Sequence, residues 1–501
     1  MTTHAYSQLE ATFQRLYRFS HLGAICGWDQ HTMMPAGGNN ARSQALAELQ
    51  VLMHQILTAP EVGTLLQAAE QEDLDSTQRA NLQEMHRRWL AANVLPAQLV
   101  EAKSLAGAHC EHAWRTQRKN NDWHGFAANL ERVVALSREE AQIRAEASGK
   151  SRYDALLDLY EPDMTSQQLD QLFADLKTWL PQLLKRVENR QTQSVIIEPQ
   201  GPFSTESQRN IGLKIMQLLG FDFNAGRLDI SVHPFCGGVA EDVRITTRYS
   251  EEDFLPALMG VIHETGHARY EQNLPRHWLG QPIGEARSTA IHESQSLLFE
   301  MQLARSPAFL NLLLPLIRDE FGDQAAFVKD NFLALNTRVK PGFIRVDADE
   351  VSYPAHIILR YEIERALIEG EIEVADIPAL WDEKMQAYLG ISTQGNYHDG
   401  CMQDIHWTDG SFGYFPTYSL GAMYAAQLFQ RAHADNPALN DQISQGNLQP
   451  LFSWLNMAIW QHGSSLSTQA LITQATGEPL NPAYFRHHLE TRYLKLSRAA
   501  R

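Results

Sequence analysis

His263 and His267 stand four residues apart, with Glu264 directly after the first, and this group is the one in the chain best equipped for chemistry. On a helix that spacing sends both imidazoles from one face and sets Glu264 about 100° round from His263. Two neutral imidazole nitrogens one turn apart can reach a single metal ion without distorting the backbone. A glutamate beside the ion can take a proton from water and return it to a leaving amine. The residue types therefore point to metal-assisted hydrolysis. With 20 histidines in 501 residues such a motif also arises by chance, so its surroundings carry part of the argument.

The four-residue gap has meaning only on a helix. Asp242 to Tyr249, rich in β-branched and aromatic residues, reads as a strand that stops at Ser250. Ser250 with Asp253 three places on reads as a capping box, opening a helix through Leu255, Leu258, Met259 and Ile262 to about Asn273. Gly266 costs that helix about 1 kcal/mol relative to alanine, which implies that another segment approaches its backbone there. A catalytic zinc site usually takes three protein ligands and leaves one position open. Gly284 to Ala304 repeats apolar residues at helical spacing, and Glu293 in its middle lies 26 positions beyond His267. Two facing helices, one carrying His-Glu-x-x-His and the other a Glu, form the gluzincin arrangement, so Glu293 is the expected third ligand. Its rivals are Glu271, His292 and Glu285, the last expected to open the second helix. Helix geometry carries Glu271 a full turn past the ion, toward a supporting role or a solvated surface, and separates His292 from Glu293 by roughly 100°, so that only one of the two faces the metal.

Six motifs in order resemble the carboxypeptidase Taq family of zinc carboxypeptidases: "HPF" (His233 to Phe235), "DVRIT" (Asp242 to Thr246), "HETGH" (His263 to His267), "HESQ" (His292 to Gln295), "IRVDAD" (Ile344 to Asp349) and "GCMQDIHW" (Gly400 to Trp407). "GYFPTYSLG" (Gly413 to Gly421) and "GWDQHTMMPAGG" (Gly27 to Gly38) extend the similarity over most of the chain. The resemblance implies a mainly helical fold with a deep, neurolysin-like groove and a small β-sheet near the active site. It implies removal of single residues from the free carboxyl ends of peptides, zinc as the ion with cobalt or manganese as substitutes, and a homodimer. Matched position by position, His263, His267 and Glu293 are the metal ligands and Glu264 the general base. Arg345 holds the substrate carboxylate, His233 and His406 lie near the scissile bond, and Tyr418 or Tyr414 steadies the oxyanion. Without the resemblance, the two histidines read as hydrogen-bonded core or loop residues and the tyrosines as core aromatics.

An independent argument favours an arginine, because an enzyme that recognises a chain end gains a bidentate, permanently charged partner for a carboxylate. Arg345 is flanked by Asp347 and Asp349, which would orient it. Arg360 has Glu364 at i+4 on a predicted helix and reads as half of a surface ion pair.

The remaining features set bounds. Gln78 to Leu95 and Trp123 to Ala147 repeat apolar residues at three and four, as amphipathic helices do. No long linker divides the chain, and Glu198 to Gln208 reads as a surface loop, so one large unit is expected, with an amino-terminal helical portion (about 1–200) and a catalytic portion (about 201–501). A formal net charge of −17 opposes general nucleic-acid binding. The start has no signal-peptide layout and no apolar run approaches a membrane span, which makes the cytoplasm the expected compartment. Cys26, Cys110, Cys236 and Cys401 are too scattered for a disulfide framework. Besides a metallocarboxypeptidase, a zinc oligopeptidase or dipeptidyl carboxypeptidase shares the same ligand pattern, and a metal-retaining binding protein is a third reading.

Overall fold

A computed structural model describes residues 4–192 and 195–495. It is mainly α, with one three-stranded sheet among the described residues. The chain forms two compact units, Met1–Asn93 with Ile196–Asn336 and Gly421–Tyr484, and Val94–Val195 with Thr337–Leu420 and Phe485–Arg501. Each is assembled from segments distant in sequence, so the expected portions on either side of residue 200 do not coincide with them.

In the first unit, the helix Ala5–Thr32 buries Tyr6, Leu9 and Phe13 with Leu66 and Met85. The sheet follows, as β1 (Gly226–Ile230), β2 (Cys236–Val239) and β3 (Asp242–Thr247), with β3 central, parallel to β1 and antiparallel to β2. Leu228 of β1 and Val243 and Ile245 of β3 pack with Val261 and Ala268 of the helix Leu255–Gln272, so the apolar side of that helix is held against the sheet. The strand ends two residues before Tyr249, and the helix starts later than the capping-box reading places it. The hydroxyl of Ser250 accepts from the Glu252 amide at 3.2 Å, and Asp253 accepts from the Leu255 amide at 3.0 Å. Pro256 explains the difference, since a proline is accommodated in the first turn of a helix and not deeper.

The second predicted helix is likewise shorter at its start. Glu285 lies outside it and makes a forked ion pair with Arg88, at 2.8 and 2.5 Å, instead of opening the helix. Ser288 is the true cap, its hydroxyl accepting the Ile291 amide at 3.2 Å ahead of the helix Thr289–Leu297. The chain then widens into a π-helical turn, Leu298–Ala304.

In the second unit, helices Ala97–Lys119 and Trp123–Ser148 pack on one another, and the helix Tyr353–Glu369 is buried on almost every side. This burial overturns the reading of Arg360 and Glu364 as a surface pair, since both side chains are fully enclosed. Arg360 pairs with Asp404, while Glu364 accepts from the Tyr153 hydroxyl at 2.6 Å, the Trp407 indole at 3.1 Å and the Gly413 amide at 3.2 Å. In a packed interior each charged group is satisfied by what surrounds it and not by its helical neighbour. Near the carboxyl end the chain forms the helix Ala483–Glu490 and the π-helical turn Thr491–Lys495.

Glu350 anchors that last turn. Its buried carboxylate meets His488 Nε2 at 2.5 Å, the Tyr493 hydroxyl at 2.8 Å and Arg492 at 3.1 Å. Burial resists the charge, but His488 and Arg492 outweigh it and draw the carboxyl down from 4.5 to about 2. A depressed carboxylate stabilises fully above its unfolded value and loses that contribution as pH falls toward the folded one. Glu350→Gln should therefore cost about 3 kcal/mol at neutral pH, by removing the buried negative charge that Arg492 and His488 meet. The difference between variant and parent in denaturant unfolding should shrink as pH is lowered from about 4.5 toward 2.

Candidate active site

His263 and His267 leave the helix Leu255–Gln272 with both Nε2 atoms toward Glu293, whose Oε2 lies 3.9 Å from one and 3.4 Å from the other. Ligand atoms of the three residues all lie within 4.8 Å of one another, which is the spacing one small cation requires. Close helix contact makes this possible. A Cβ at Gly266 would stand 2.6 Å from the Gln295 carbonyl oxygen and 2.7 Å from the Cα of Ser296, so the segment expected to approach that glycine is the helix that carries Glu293. On the other side, a Cβ at Gly421 would stand 2.7 Å from the Cγ of Glu293. Glu293 is thus held between two bare backbones, and Ser296 donates to its Oε2 at 3.2 Å.

Both imidazoles are also held from behind. His263 Nδ1 lies 3.0 Å from Glu300, which is itself paired with Arg305 at 2.8 Å. His267 Nδ1 lies 2.6 Å from Nδ1 of His292, and Nε2 of His292 lies 2.7 Å from Glu271. Of the sequence-level rivals for the third ligand, only Glu293 joins the two imidazoles: His292 and Glu271 sit behind His267, and Glu285 is paired with Arg88. Glu264 is 7% exposed, and its Oε2 has no hydrogen-bond partner among the described residues.

The electrostatics fit a cation. Burial opposes charge on His263, yet Glu293 and the hydrogen bond to Glu300 prevail and push it up to about 10. Burial lowers His267 to about 4 and raises the Glu264 carboxyl to about 7. Carboxylates thus crowd two imidazoles in a field that calls for positive charge, and the N, N, O donor set suits a divalent transition metal.

The second unit holds a different constellation. Arg345, 6% exposed, donates through Nε to Asp404 at 2.9 Å and through Nη1 to the Tyr353 hydroxyl at 3.0 Å, while Nη2 makes no hydrogen bond among the described residues. Arg360 shares the same carboxylate, with Nε 2.7 Å from Asp404. Asp404, and not the flanking Asp347 or Asp349, therefore orients Arg345. Asp349 is turned to its own loop, accepting from Ser352, Val351 and Lys340, because a carboxylate followed by a helix start is drawn to the free amides there. Against the pull of burial, Arg360 and Arg345 hold the Asp404 carboxyl far below the ordinary range. Burial lowers His406 to about 4 against the upward pull of Asp404, and Arg345 and Arg360 add to the lowering. Two guanidinium charges thus face one carboxylate, beside a neutral imidazole. Tyr418 joins this group, its hydroxyl 3.3 Å from His406 Nε2 and its ring 5.0 Å from the Arg345 guanidinium. Tyr414 packs edge-on against Tyr160 at 5.1 Å and against Tyr418 at 5.4 Å.

His233 belongs to the first unit, in the loop between β1 and β2. It lines a cleft of about 610 Å³ with Trp28, His31, Phe235 and Arg244, so residues from "GWDQH", "HPF" and "DVRIT" converge on one surface. Trp28 is gripped between the Arg227 and Arg244 guanidinium groups, 4.9 and 4.3 Å from its ring, which ties the first helix to the sheet.

The model of the carboxypeptidase Taq (M32) metallopeptidase family matches residues 8–493. The chain belongs to that family. This M32 chain is 38% identical to thermostable carboxypeptidase 1 of Thermus thermophilus, across 97% of its own length and 99% of the relative's. It is 36% identical to carboxypeptidase 1 of Bacillus subtilis, across 99% of each. Among solved structures, Trypanosoma cruzi metallocarboxypeptidase 1 superposes with a TM-score of 0.96 at 49% identity, covering 98% of this chain and 99% of that one. An M32 carboxypeptidase of Deinococcus radiodurans gives 0.94 at 32%, covering 99% and 100%. Family membership makes the M32 chain a metallocarboxypeptidase.

Several supporting residues escaped the sequence reading. Glu300 follows Glu293 by seven residues, two helical turns on the same face, and that spacing was the available signal. Asp404 stands inside the quoted "QDIHW", two residues before the histidine singled out there. Gly421 closes the quoted "GYFPTYSLG", while Arg305 and Tyr353 had no local pattern to announce them.

Adding one methyl at Gly266 should force apart the helices that hold His263, His267 and Glu293. Gly266→Ala should weaken metal retention at least tenfold in a chelator competition, with overpacking of about 1–3 kcal/mol and helical content by circular dichroism unchanged.

Proposed function

We propose that this metallocarboxypeptidase holds zinc through His263, His267 and Glu293, and that it releases single residues from peptides with a free carboxyl terminus. The observation that supports this most directly is the convergence of those three side chains, with the buried, unpartnered Oε2 of Glu264 on the residue next to His263. A divalent ion bound there supplies Lewis acidity and positive charge, with cobalt or manganese as workable substitutes for zinc.

The chain's own residues do the rest. Glu264, placed beside the ligands with one free carboxylate oxygen, takes the proton of the attacking water and hands it to the departing amine. Arg345 takes the substrate's terminal carboxylate through Nη2, since Asp404 and Tyr353 already occupy Nε and Nη1 and lock the fork in place. The surplus positive charge of the Arg345, Arg360 and Asp404 group favours an incoming anion. Tyr418 is the phenol we assign to the oxyanion over Tyr414, on its hydrogen bond to His406. His406, neutral, keeps that hydroxyl oriented, and His233 contacts the peptide from the cleft it lines.

The same reading places the enzyme in the cytoplasm as a homodimer. Four free cysteines support a reducing compartment, and the family resemblance supports the dimer. No helix among the described residues is long and apolar enough to cross a membrane. Sedimentation equilibrium would decide the assembly, and a mass of one chain would refute the dimer.

Two variants test the chemistry. Glu264→Gln should lower turnover by about 10³-fold while the metal content stays that of the parent; retained turnover would remove Glu264 from the proton transfers. Mass spectrometry of two peptides that differ only in a free or amidated carboxyl end should show stepwise loss of single residues from the free one alone. Arg345→Ala should abolish that preference at unchanged metal content, whereas internal cuts in both peptides by the parent would point to an oligopeptidase.

A further inference from the structure

We propose that Glu271 and His292 form a two-link relay that fixes the tautomer and orientation of His267 and thereby tightens the protein's hold on the ion; this rests on the ligand set proposed above. The direction of every hydrogen bond in the relay follows from its two ends. Nε2 of His267 faces Glu293 at 3.4 Å and must present a lone pair to bind a cation, so the ring's proton resides on Nδ1. That Nδ1–H donates to Nδ1 of His292, 2.6 Å away. An imidazole accepting at Nδ1 carries its own proton on Nε2, and this proton points at Oε1 of Glu271, 2.7 Å distant. A carboxylate can only accept, so the chain of donors closes at Glu271 and cannot run the other way.

The arrangement gives one short helix two grips on a single imidazole. Glu293 reaches His267 from the ion's side, and its sequence neighbour His292, about 100° round the same helix, reaches it from behind. The His267 and His292 rings lie 4.6 Å apart with a 38° tilt, and Tyr270 packs at 5.5 Å on the far one. His263 is held differently, by Glu300 directly. The two imidazole ligands therefore have unequal backing, one a direct carboxylate and the other a carboxylate acting through an intervening ring. The plain alternative is that His292 and Glu271 are a surface ion pair, each side chain 25% exposed and worth little. That alternative leaves the short contact to His267 without a purpose.

The experiment is a zinc competition against a chromophoric chelator, paired with the visible absorption of the cobalt-loaded protein, on the parent and on Glu271→Gln and His292→Phe. Removing a residue that backs a metal-bound histidine lowers affinity about 10- to 100-fold. The expected result is about tenfold weaker zinc binding for Glu271→Gln, more for His292→Phe, and a shifted cobalt band in both. Melting of the metal-free protein should hardly change for Glu271→Gln. Parental zinc affinity and an unmoved cobalt band in both variants would overturn the relay. So would metal-free Glu271→Gln melting as much below its parent as the zinc-loaded form does, which marks plain structural bracing. A parent that binds no zinc would overturn the ligand set itself, a separate failure read from the first titration.

Discussion

The chemistry of this protein depends on one close contact, the meeting of two helix backbones at Gly266. No side chain separates them there, and the His-Glu-x-x-His helix and the Glu293 helix can lie near enough for three donor atoms to share one ion. Around this contact the first unit is built to resist displacement. The sheet supports one side of the histidine helix through Leu228, Val243 and Ile245, and Gly421 brings a further backbone against Glu293. A metal site demands placement to a fraction of an ångström, and packed backbones provide it more rigidly than mobile side chains do.

Charge is handled in opposite ways in the two units. Around His263 and His267 the surplus is negative, from Glu264, Glu293 and Glu300, and a cation relieves it. Around Arg345 the surplus is positive, with Asp404 shared by two guanidinium groups. Glu364 is a third case, a buried carboxyl raised to about 7 by its enclosure, which binds the Tyr153, Trp407 and Gly413 groups and so braces the loop that carries His406 and Tyr414. Burial pushes both Cys236 and Cys401 well above the ordinary thiol range.

Reading the chain as text was most effective where a motif is local. The helical histidine pair, the strand before it and the close approach at Gly266 follow from spacing and from the cost of glycine in a helix. Element boundaries were less legible, because Pro256 and Ser288 decided where two helices begin while Ser250 and Glu285 offered plausible but unused starts. Arg360 and Glu364 show the same limit more sharply. Their i, i+4 spacing describes an exposed helix, and the helix is instead enclosed, so each finds a partner far away in sequence.

The sequence by itself determined the chemistry available: two imidazoles on one helical face, a neighbouring carboxylate, a distant Glu293 and the arginine of "IRVDAD", together with a motif order diagnostic of the family. Only the tertiary structure decided which groups serve them. Glu300 behind His263, the His292 and Glu271 pair behind His267, and Asp404 between two arginines are choices made across 20 to 60 residues of chain. Local periodicity fixes which way a side chain leaves its helix. What it meets is set by the packing of other segments, and no spacing rule within one element contains that information.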